Sequence, residues 1–150
     1  MNELLTQIQD DYKKALKASQ TLVVSVLRLL LSAIHNKEIE KKAKREKMTE
    51  DDILATVQKE IKERKESIEA YQKGKREDLV EKEEKELKIL EHYLPQQLSK
   101  EELKQIVKEA IYETKAEGMR DLGKVMGFLM GKVKGRAEGR MVSEMVRSCL

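Results

Sequence analysis

The sequence is poor in the residues that form disulfides, kinks and sheets. Its 150 residues include one cysteine, one proline and no tryptophan, and aromatic residues make up only 3%. A single cysteine excludes an internal disulfide and fits a reducing compartment, which predicts a cytoplasmic protein. Few aromatic residues argue against strands, whereas 39% charged and 39% apolar residues are typical of helices with a solvated surface. We therefore expect an all-α protein.

Long hydrophobic runs are also missing. The longest apolar passage, residues 22–31, is interrupted by Ser25 and Arg28 and is too short to cross a bilayer. The first residues, MNELLTQIQDD, contain no basic region followed by an apolar stretch. The sequence thus predicts neither a secretory signal nor a membrane span.

The sequence contains few groups that could carry out catalysis. It has no phosphate-binding glycine loop, no paired-cysteine or HExxH motif and no nucleophile elbow, and its two histidines, His35 and His92, stand alone. His35 and Glu38 could share a helix face, but two ligands are too few for a closed zinc site. We predict no metal site, no cofactor, no catalytic residues and no enzyme that acts alone.

Apolar residues at helical spacing predict seven helices. Thr49 with Asp52 and Ser99 with Glu102 have the spacing of capping boxes. Pro95, in LPQQLS, is the best candidate for a boundary. It divides the chain into an N-terminal domain of about four helices (1–94), a linker (95–98) and a small three-helix domain (99–150). The predicted helices cover about 2–18, 22–47, the segment between Thr49 and Gly74, 76–93, 99–118, 119–134 and the segment after Gly139.

Two features of the first part are polar. The charge runs at 60–66 and 81–88 predict solvated helix faces. Arg28 lies within the most apolar helix, where it should either extend to solvent or pair with a glutamate of the opposing hairpin. A binding surface formed with Asn36 and Lys37 is the alternative.

The stretch from Gly123 to Arg140 contains glycine at every fourth position. Each glycine inside a helix costs roughly 1 kcal/mol relative to alanine, so packing or function should explain them. On a helical wheel the glycines lie beside and behind the apolar face, with Lys124 and Lys134 on the same outer side. We expect a strip of bare backbone there, suited to close approach by an anion or by another helix. The candidate approach glycines are Gly123, Gly127, Gly131 and Gly135.

The same end of the chain is basic. From Met119 onward, seven lysines and arginines minus three acids give a local charge of +4. Such a cluster suits a phosphate backbone, because each neutralised phosphate adds salt-dependent affinity. A solvated helix face is the other interpretation. The candidate RNA-binding residues are Lys124, Lys132, Lys134, Arg136 and Arg140.

These residues carry a resemblance to a known family. The run from 121 to 150 resembles the end of the GatB/YqeY domain family, with Gly123, Met126, Lys132, Gly135, Ala137 and Val142 at matching places. The segments 24–40 and 84–103 resemble the free-standing YqeY-like proteins, so the resemblance covers nearly the whole chain. KVKGRAEG is close to, but differs from, the KxTKGxA form of the amidotransferase subunit.

The resemblance implies an all-helical protein in two parts. Its last domain is similar to the tail of the B subunit of glutamine-dependent aminoacyl-tRNA amidotransferase, which contacts tRNA; the active site of that enzyme lies in a domain that this chain lacks. A label of carbon–nitrogen ligase activity with glutamine as amido-N-donor would be inherited from that relationship. The resemblance thus implies a non-catalytic tRNA-binding accessory module, with tRNA and a synthetase or amidotransferase subunit as partners.

Two other classes of function stay open. In the first, the chain is a helical interaction protein whose glycine strip, 123–135, receives a helix from another protein or from a second copy. In the second, it is a tRNA-dependent amidase, which would require glutamine hydrolysis by the isolated chain.

Overall fold

Helices account for all the regular structure in residues 3–150, the part of the chain described by the computed structural model. That range contains seven α-helices, one short 3₁₀ helix and no strand, which confirms the all-α prediction. The α-helices are α1 (Glu3–Lys17), α2 (Thr21–Ala43), α3 (Glu50–Lys73), α4 (Glu77–Glu91), α5 (Lys100–Thr114), α6 (Leu122–Val133) and α7 (Gly139–Cys149), and the 3₁₀ helix covers Met119–Asp121.

Both predicted capping boxes are present. The Thr49 hydroxyl accepts a hydrogen bond from the Asp52 amide at 3.2 Å, and the Asp52 carboxylate accepts one from the Thr49 amide at 2.9 Å. Ser99 and Glu102 make the same exchange at 3.1 and 3.3 Å. Each box satisfies backbone donors that a helix start otherwise leaves unpaired, which fixes the beginnings of α3 and α5.

The end of α2 differs from the prediction. The helix stops at Ala43 rather than at residue 47, and Arg45 adopts a left-handed φ of 58°. Lys41 then pairs with Glu46 at 3.0 Å and with Asp52 at 3.4 Å. These ion pairs connect the turn to the start of α3, an arrangement that a run of good helix formers cannot reveal.

Some other helix ends were also placed incorrectly from the sequence. Helix α2 begins at Thr21, one residue before the predicted start, and Gln20 occupies the cap position without a side-chain hydrogen bond. The predicted end of α3 at Gly74 is confirmed, since Gly74 is the C-cap with a φ of −82°, and Lys75 after it takes the left-handed conformation. Helix α5 ends at Thr114, before a left-handed Lys115, and not near Gly118. Lysine tolerates these single left-handed positions at a modest cost.

The chain divides into two compact units, one up to Leu94 and one from Pro95 to Leu150. The first contains α1 to α4, packed around a continuous apolar core. The Tyr93 hydroxyl donates a 2.7 Å hydrogen bond to the Asp11 carboxylate on α1. Burial and this bond raise the pKa of Tyr93 well above its ordinary value. The core residues are Ile8, Val26, Leu27, Leu30, Ile34, Ile53, Val57, Ile61, Leu90 and Tyr93.

Part of the predicted solvated charge is buried between α3 and α4. Arg64 and Glu86 are among the buried residues, and they form an ion pair with each other. Arg64 also contacts Glu83 at 3.1 Å. The prediction that both charge runs are solvated faces is therefore wrong at these positions. The reason is visible in the spacing, because Arg64 lies on the same helix face as Val57, Ile61 and Ile68.

The second unit packs α5, α6 and α7 around a smaller core. Its fully buried side chains are mainly branched aliphatic residues, and methionines lie at the periphery. Methionine is flexible and can fill irregular gaps there. Leu98, Met126 and Met145 pack against this core from partly buried positions. The buried core residues are Leu103, Val107, Ala110, Val125, Leu129, Val133, Val142 and Val146.

Candidate nucleic-acid interface

Helix α6 presents one face to the core and the opposite face to solvent. Val125, Leu129 and Val133, which follow one another at a spacing of four, are fully buried. A spacing of four on an α-helix also aligns the exposed residues into rows. One exposed row contains Gly123, Gly127 and Gly131, and the next contains Lys124, Phe128 and Lys132.

Nothing in residues 3–150 requires the three glycines of α6. Apart from the chain neighbours and the nearby backbone of the same helix, a Cβ atom added at Gly123, Gly127 or Gly131 would meet no atom within 4 Å. All three are exposed, as the helical wheel predicted. Each nevertheless weakens the helix relative to alanine. The row is thus a strip of accessible backbone that the fold itself does not use.

Gly135 does not belong to this strip, and its assignment as an approach glycine is wrong. It is buried and lies after the end of α6, with a left-handed φ of 77°. Its carbonyl accepts a 2.8 Å hydrogen bond from the Gln97 side chain. Glycine is suited to this position because L side chains rarely adopt that φ. Gly135 is a turn residue, although its spacing matches that of the others.

One lysine of this row is in contact with an aromatic ring. The Lys132 ammonium lies over the Phe128 ring, 4.4 Å from its centroid. This is within the range of a cation–π contact. Lys124 and Lys132 are eight residues apart, so their Cα atoms are separated by about 12 Å along the helix. Two ammonium groups at that separation could meet different phosphates of one nucleic-acid strand.

The remaining predicted basic residues lie outside this row. Lys134 is exposed and immediately follows α6. Arg136 is half-buried, and its Nε donates a 3.2 Å hydrogen bond to the carbonyl of Gln96. Its own backbone carbonyl accepts a 2.9 Å bond from the Leu98 amide. The structure therefore gives Arg136 a role in holding the turn after α6.

Arg140 is the second residue of α7 and is exposed. Its Nε lies 3.1 Å from the Glu144 carboxylate, one turn along the same helix. Both side chains are largely in solvent, where such a pair contributes little to stability. The pair is therefore weak enough for Arg140 to exchange Glu144 for an external anion. Of the five predicted residues, Lys124 and Lys132 share one row on α6, and the others follow the helix.

Sequence reasoning missed the Arg64 cluster, although a signal was present. Charged residues were interpreted by their density in the run, which favoured a solvated face. Arg64, however, occupies a position of the apolar stripe of α3, and Glu86 is four residues before the buried Leu90 on α4. Two opposite charges on facing apolar stripes of a hairpin predict a buried pair.

Arg28 follows the first of the two expected arrangements, because it extends to solvent. Its Nε donates a hydrogen bond to the hydroxyl of Tyr12 at 3.3 Å. Among the residues that the structure describes, no carboxylate pairs with it, so the alternative partner on the opposing hairpin is not used. Residues 3–150 contain no group of three or more potential metal ligands, and no helix among them is long and apolar enough to span a bilayer.

The geometry defines an all-helical protein whose smaller unit presents basic residues and bare backbone on one helix. A family model described as Yqey-like protein matches residues 5–150. The chain therefore belongs to the Yqey-like family, which confirms the resemblance drawn from the sequence.

Several curated relatives of this chain are fungal proteins. Over 89 residues the chain is 44% identical to "altered inheritance of mitochondria protein 41, mitochondrial" of Kluyveromyces lactis, covering 59% of this chain and 47% of the relative. A protein of the same name in Pyrenophora tritici-repentis is 33% identical over 124 residues, covering 81% of this chain and 66% of the relative. The chain spans about half the length of the first of these relatives.

The names of these relatives correct one prediction. We expected a cytoplasmic protein from the single cysteine. The relatives of Kluyveromyces lactis, Vanderwaltozyma polyspora and Lachancea thermotolerans are all named as mitochondrial proteins. The cytoplasmic prediction is therefore contradicted, and the names point to the mitochondrion. Cysteine content reports the redox state of a compartment, and several compartments are reducing.

Proposed function

We propose that this protein is a non-catalytic module that binds the phosphate backbone of tRNA through the exposed face of α6. The observation that carries the proposal is the pairing of two rows on that face. The glycine row lets a ligand approach the backbone, and the adjacent row supplies Lys124 and Lys132. The glycines make the helix less stable and leave its backbone accessible beside two lysines. Such a surface is suited to an anionic partner.

The proposal assigns binding to residues 99–150 as a separate three-helix domain, with residues 95–98 leading into it. Lys124 and Lys132 make the central contacts, and Lys134 and Arg140 extend the basic surface. Arg136 contributes its charge while it holds the turn through Gln96. Phe128 is the one aromatic residue of this face and is occupied by Lys132. Recognition therefore depends on backbone and shape rather than on stacked bases.

The proposed role in the cell is accessory. We place the protein beside tRNA-dependent amidation, where a synthetase or an amidotransferase subunit would supply the chemistry. The charged residues of the α6 face include no nucleophile–base pair of the kind that acyl or amide transfer needs. Carbon–nitrogen ligase activity would belong to the partner. Glutamine hydrolysis by the isolated chain would contradict this division of roles.

A comparison of charge-matched variants tests the site. Bulk tRNA is titrated against the full chain and followed by fluorescence anisotropy at low salt. The double variant Lys124→Ala, Lys132→Ala should bind more weakly by at least about tenfold, because two phosphate contacts are lost. The control is Lys104→Ala, Lys108→Ala, which removes the same charge from exposed positions on α5. Equal weakening in both would show that only net charge matters and would contradict the site.

A second candidate function is supported by the apolar residues of the same face. Phe128 and Met130 are each 39% exposed, beside a row of glycines. A helix from a partner protein could pack closely there, since small residues at a spacing of four allow backbones to approach. Gly127→Leu would then abolish partner binding in sedimentation experiments at any salt concentration. Under the RNA proposal, salt weakens binding strongly, and the leucine acts only by blocking approach.

A further inference from the structure

The surface of the N-terminal unit contains a cleft of about 320 Å³ between α1 and α2. Five of its residues come from α2 and follow the spacing i, i+3, i+4, i+7 and i+8, which places them on one face of the helix. They belong to the segment in which the sequence had singled out Arg28. The cleft is lined by Tyr12, Arg28, Leu31, Ser32, His35 and Asn36.

The lining of the cleft contains hydrogen-bond donors and no acidic residue. Aspartate and glutamate make up 28 of the 150 residues, yet none of them lines this cleft. The polar groups are instead a guanidinium, an imidazole, two hydroxyls and a carboxamide. Each of them can donate hydrogen bonds. A concave site that collects donors and excludes carboxylates favours an anionic ligand.

These donors are available. Among residues 3–150, the one side-chain hydrogen bond recorded for this set joins Arg28 to Tyr12. The four polar residues of α2 are all exposed. What distinguishes Arg28 from other cations of the surface is its place in a cleft, where it lies beside further hydrogen-bond donors and no carboxylate. Because no carboxylate of residues 3–150 pairs with Arg28, its guanidinium can bind an anion from solution.

The hydrogen bond to Tyr12 also orients the arginine. It uses Nε, so both terminal nitrogens of the guanidinium stay able to form the paired contacts that this group makes with phosphate. The Tyr12 hydroxyl accepts this bond and keeps its own proton for donation. Tyr12 therefore serves both as a positioning residue and as a further donor.

The number of donors selects among anions. A carboxylate offers two oxygens, whereas a phosphate monoester offers three terminal oxygens and up to two negative charges. The volume lies at the lower end of small-molecule sites, which run from about 300 to 1,000 Å³. Leu31 and the Tyr12 ring add an apolar side. A single arginine is too little for a nucleic-acid groove, in which several phosphates are neutralised together.

We propose that the cleft between α1 and α2 binds the phosphate group of a small phosphate monoester, with Arg28 as its main contact and Leu31 and Tyr12 beside the apolar part of the ligand. The site belongs to the N-terminal unit and uses none of the residues of the proposed RNA-binding face. The two proposals are therefore independent, and failure of tRNA binding would not contradict this site.

The test is an NMR titration of the ¹⁵N-labelled full chain with phenyl phosphate at constant ionic strength, with inorganic phosphate and sodium chloride as separate arms. We expect saturable shifts at Ser32, His35 and Asn36 with phenyl phosphate. Binding should be weaker with inorganic phosphate, which lacks the apolar part, and chloride should cause no saturable shift. Shifts that do not approach saturation by about 10 mM would overturn the proposal, since the affinity would be too weak for a built site.

Two variants and one matched control make the test specific. Arg28→Gln should weaken phenyl phosphate binding by about tenfold or more, as expected for a lost charged hydrogen-bonding partner. Tyr12→Phe, which keeps the ring, should weaken binding by about threefold. Arg45→Gln removes the same charge from an exposed position of the same unit outside the cleft, and should leave binding unchanged.

Each alternative has its own result. Equal weakening by Arg28→Gln and Arg45→Gln would show a general charge effect and would overturn the proposal. Loss of tRNA affinity in Arg28→Gln, without loss of phenyl phosphate binding, would assign the cleft to RNA and would also overturn it. If Arg28→Gln alters the fold, as seen in its spectrum, the Tyr12→Phe result decides, and unchanged binding in that variant contradicts the site.

Discussion

The ammonium of Lys132 lies 4.4 Å from the centroid of the Phe128 ring on the exposed face of α6. The ring is 39% exposed and leaves the lysine accessible to solvent. A lysine held over an aromatic ring has fewer rotamers to lose when it contacts a phosphate. This contact connects the packing of α6 to the function proposed for it, because it presents a cation in a defined place.

Replacing Phe128 with leucine removes the ring and keeps an apolar side chain. We expect tRNA affinity to fall by about two- to fivefold, equivalent to the 0.5–1 kcal/mol of an exposed cation–π contact. The salt dependence should not change, since the number of lysines is the same. Met130→Leu, a substitution at an equally exposed apolar residue of α6, is the control. Anisotropy titrations of both variants measure the difference, and equal affinities would contradict the role of the ring.

Replacing Gly127 with alanine should stabilise the isolated chain. The added Cβ meets no atom within 4 Å, and alanine in a helix interior is favoured over glycine by about 1 kcal/mol. Gly135→Ala should destabilise the chain by roughly 1 kcal/mol or more, because its φ of 77° disfavours an L side chain. Urea denaturation measures both. A destabilised Gly127→Ala would mean that the fold itself uses this glycine.

Replacing Arg64 with methionine should strongly destabilise the N-terminal unit. The substitution leaves Glu86 buried and Glu83 nearby without their cation, at a cost of about 2–4 kcal/mol. Lys62→Met, at an exposed position of α3, should change the free energy of unfolding by less than about 0.5 kcal/mol. Adding Glu86→Gln to Arg64→Met should recover part of the loss. Thermal unfolding tests this, and additive effects of the two changes would contradict the pairing.

The capping box of α3 should contribute an acid-sensitive part of the stability. Hydrogen bonds from the Thr49 backbone and side chain, with a smaller effect of Lys41, lower the pKa of Asp52 below its ordinary 3.8. A lowered pKa in the folded state stabilises the protein above the ordinary value, and this stabilisation is lost as the pH falls through the folded pKa. Asp52→Asn should therefore be less stable than the wild type at pH 7.

The pH dependence of this difference provides the check. Unfolding free energies of the wild type and Asp52→Asn should differ by a constant amount through neutral pH. The difference should shrink once the pH drops below 3.8. A difference that persists unchanged in acid would show that the asparagine acts through packing and not through the lost charge.

Much of the fold follows from local rules in the sequence. The spacing of apolar residues predicted the seven α-helices of residues 3–150, but not the 3₁₀ helix before α6. The two capping boxes fixed the beginnings of α3 and α5, because such caps act within four residues. Helix ends were harder to place. The end of α2 depends on Lys41 meeting Asp52 across a turn, and such contacts between elements leave no periodic signal.

The candidate site divides in the same way. The wheel placed Gly123, Gly127 and Gly131 on the exposed side of α6 correctly, since exposure follows directly from the position of the core face. Gly135 shares their spacing and still lies in a turn, because a pattern of period four does not show where the helix stops. The contact of Lys132 with Phe128 could have been found, as the two residues are one turn apart.

The central claim is that the α6 face binds tRNA through a small set of phosphate contacts. The most direct measurement is the slope of log K against log salt for bulk tRNA, compared between the wild type and the double variant Lys124→Ala, Lys132→Ala. We predict a wild-type slope of about −3 to −4 and a slope shallower by about 2 in the variant, because each lost phosphate contact removes about 0.9. No binding at low salt, or the same slope in both proteins, would contradict the claim.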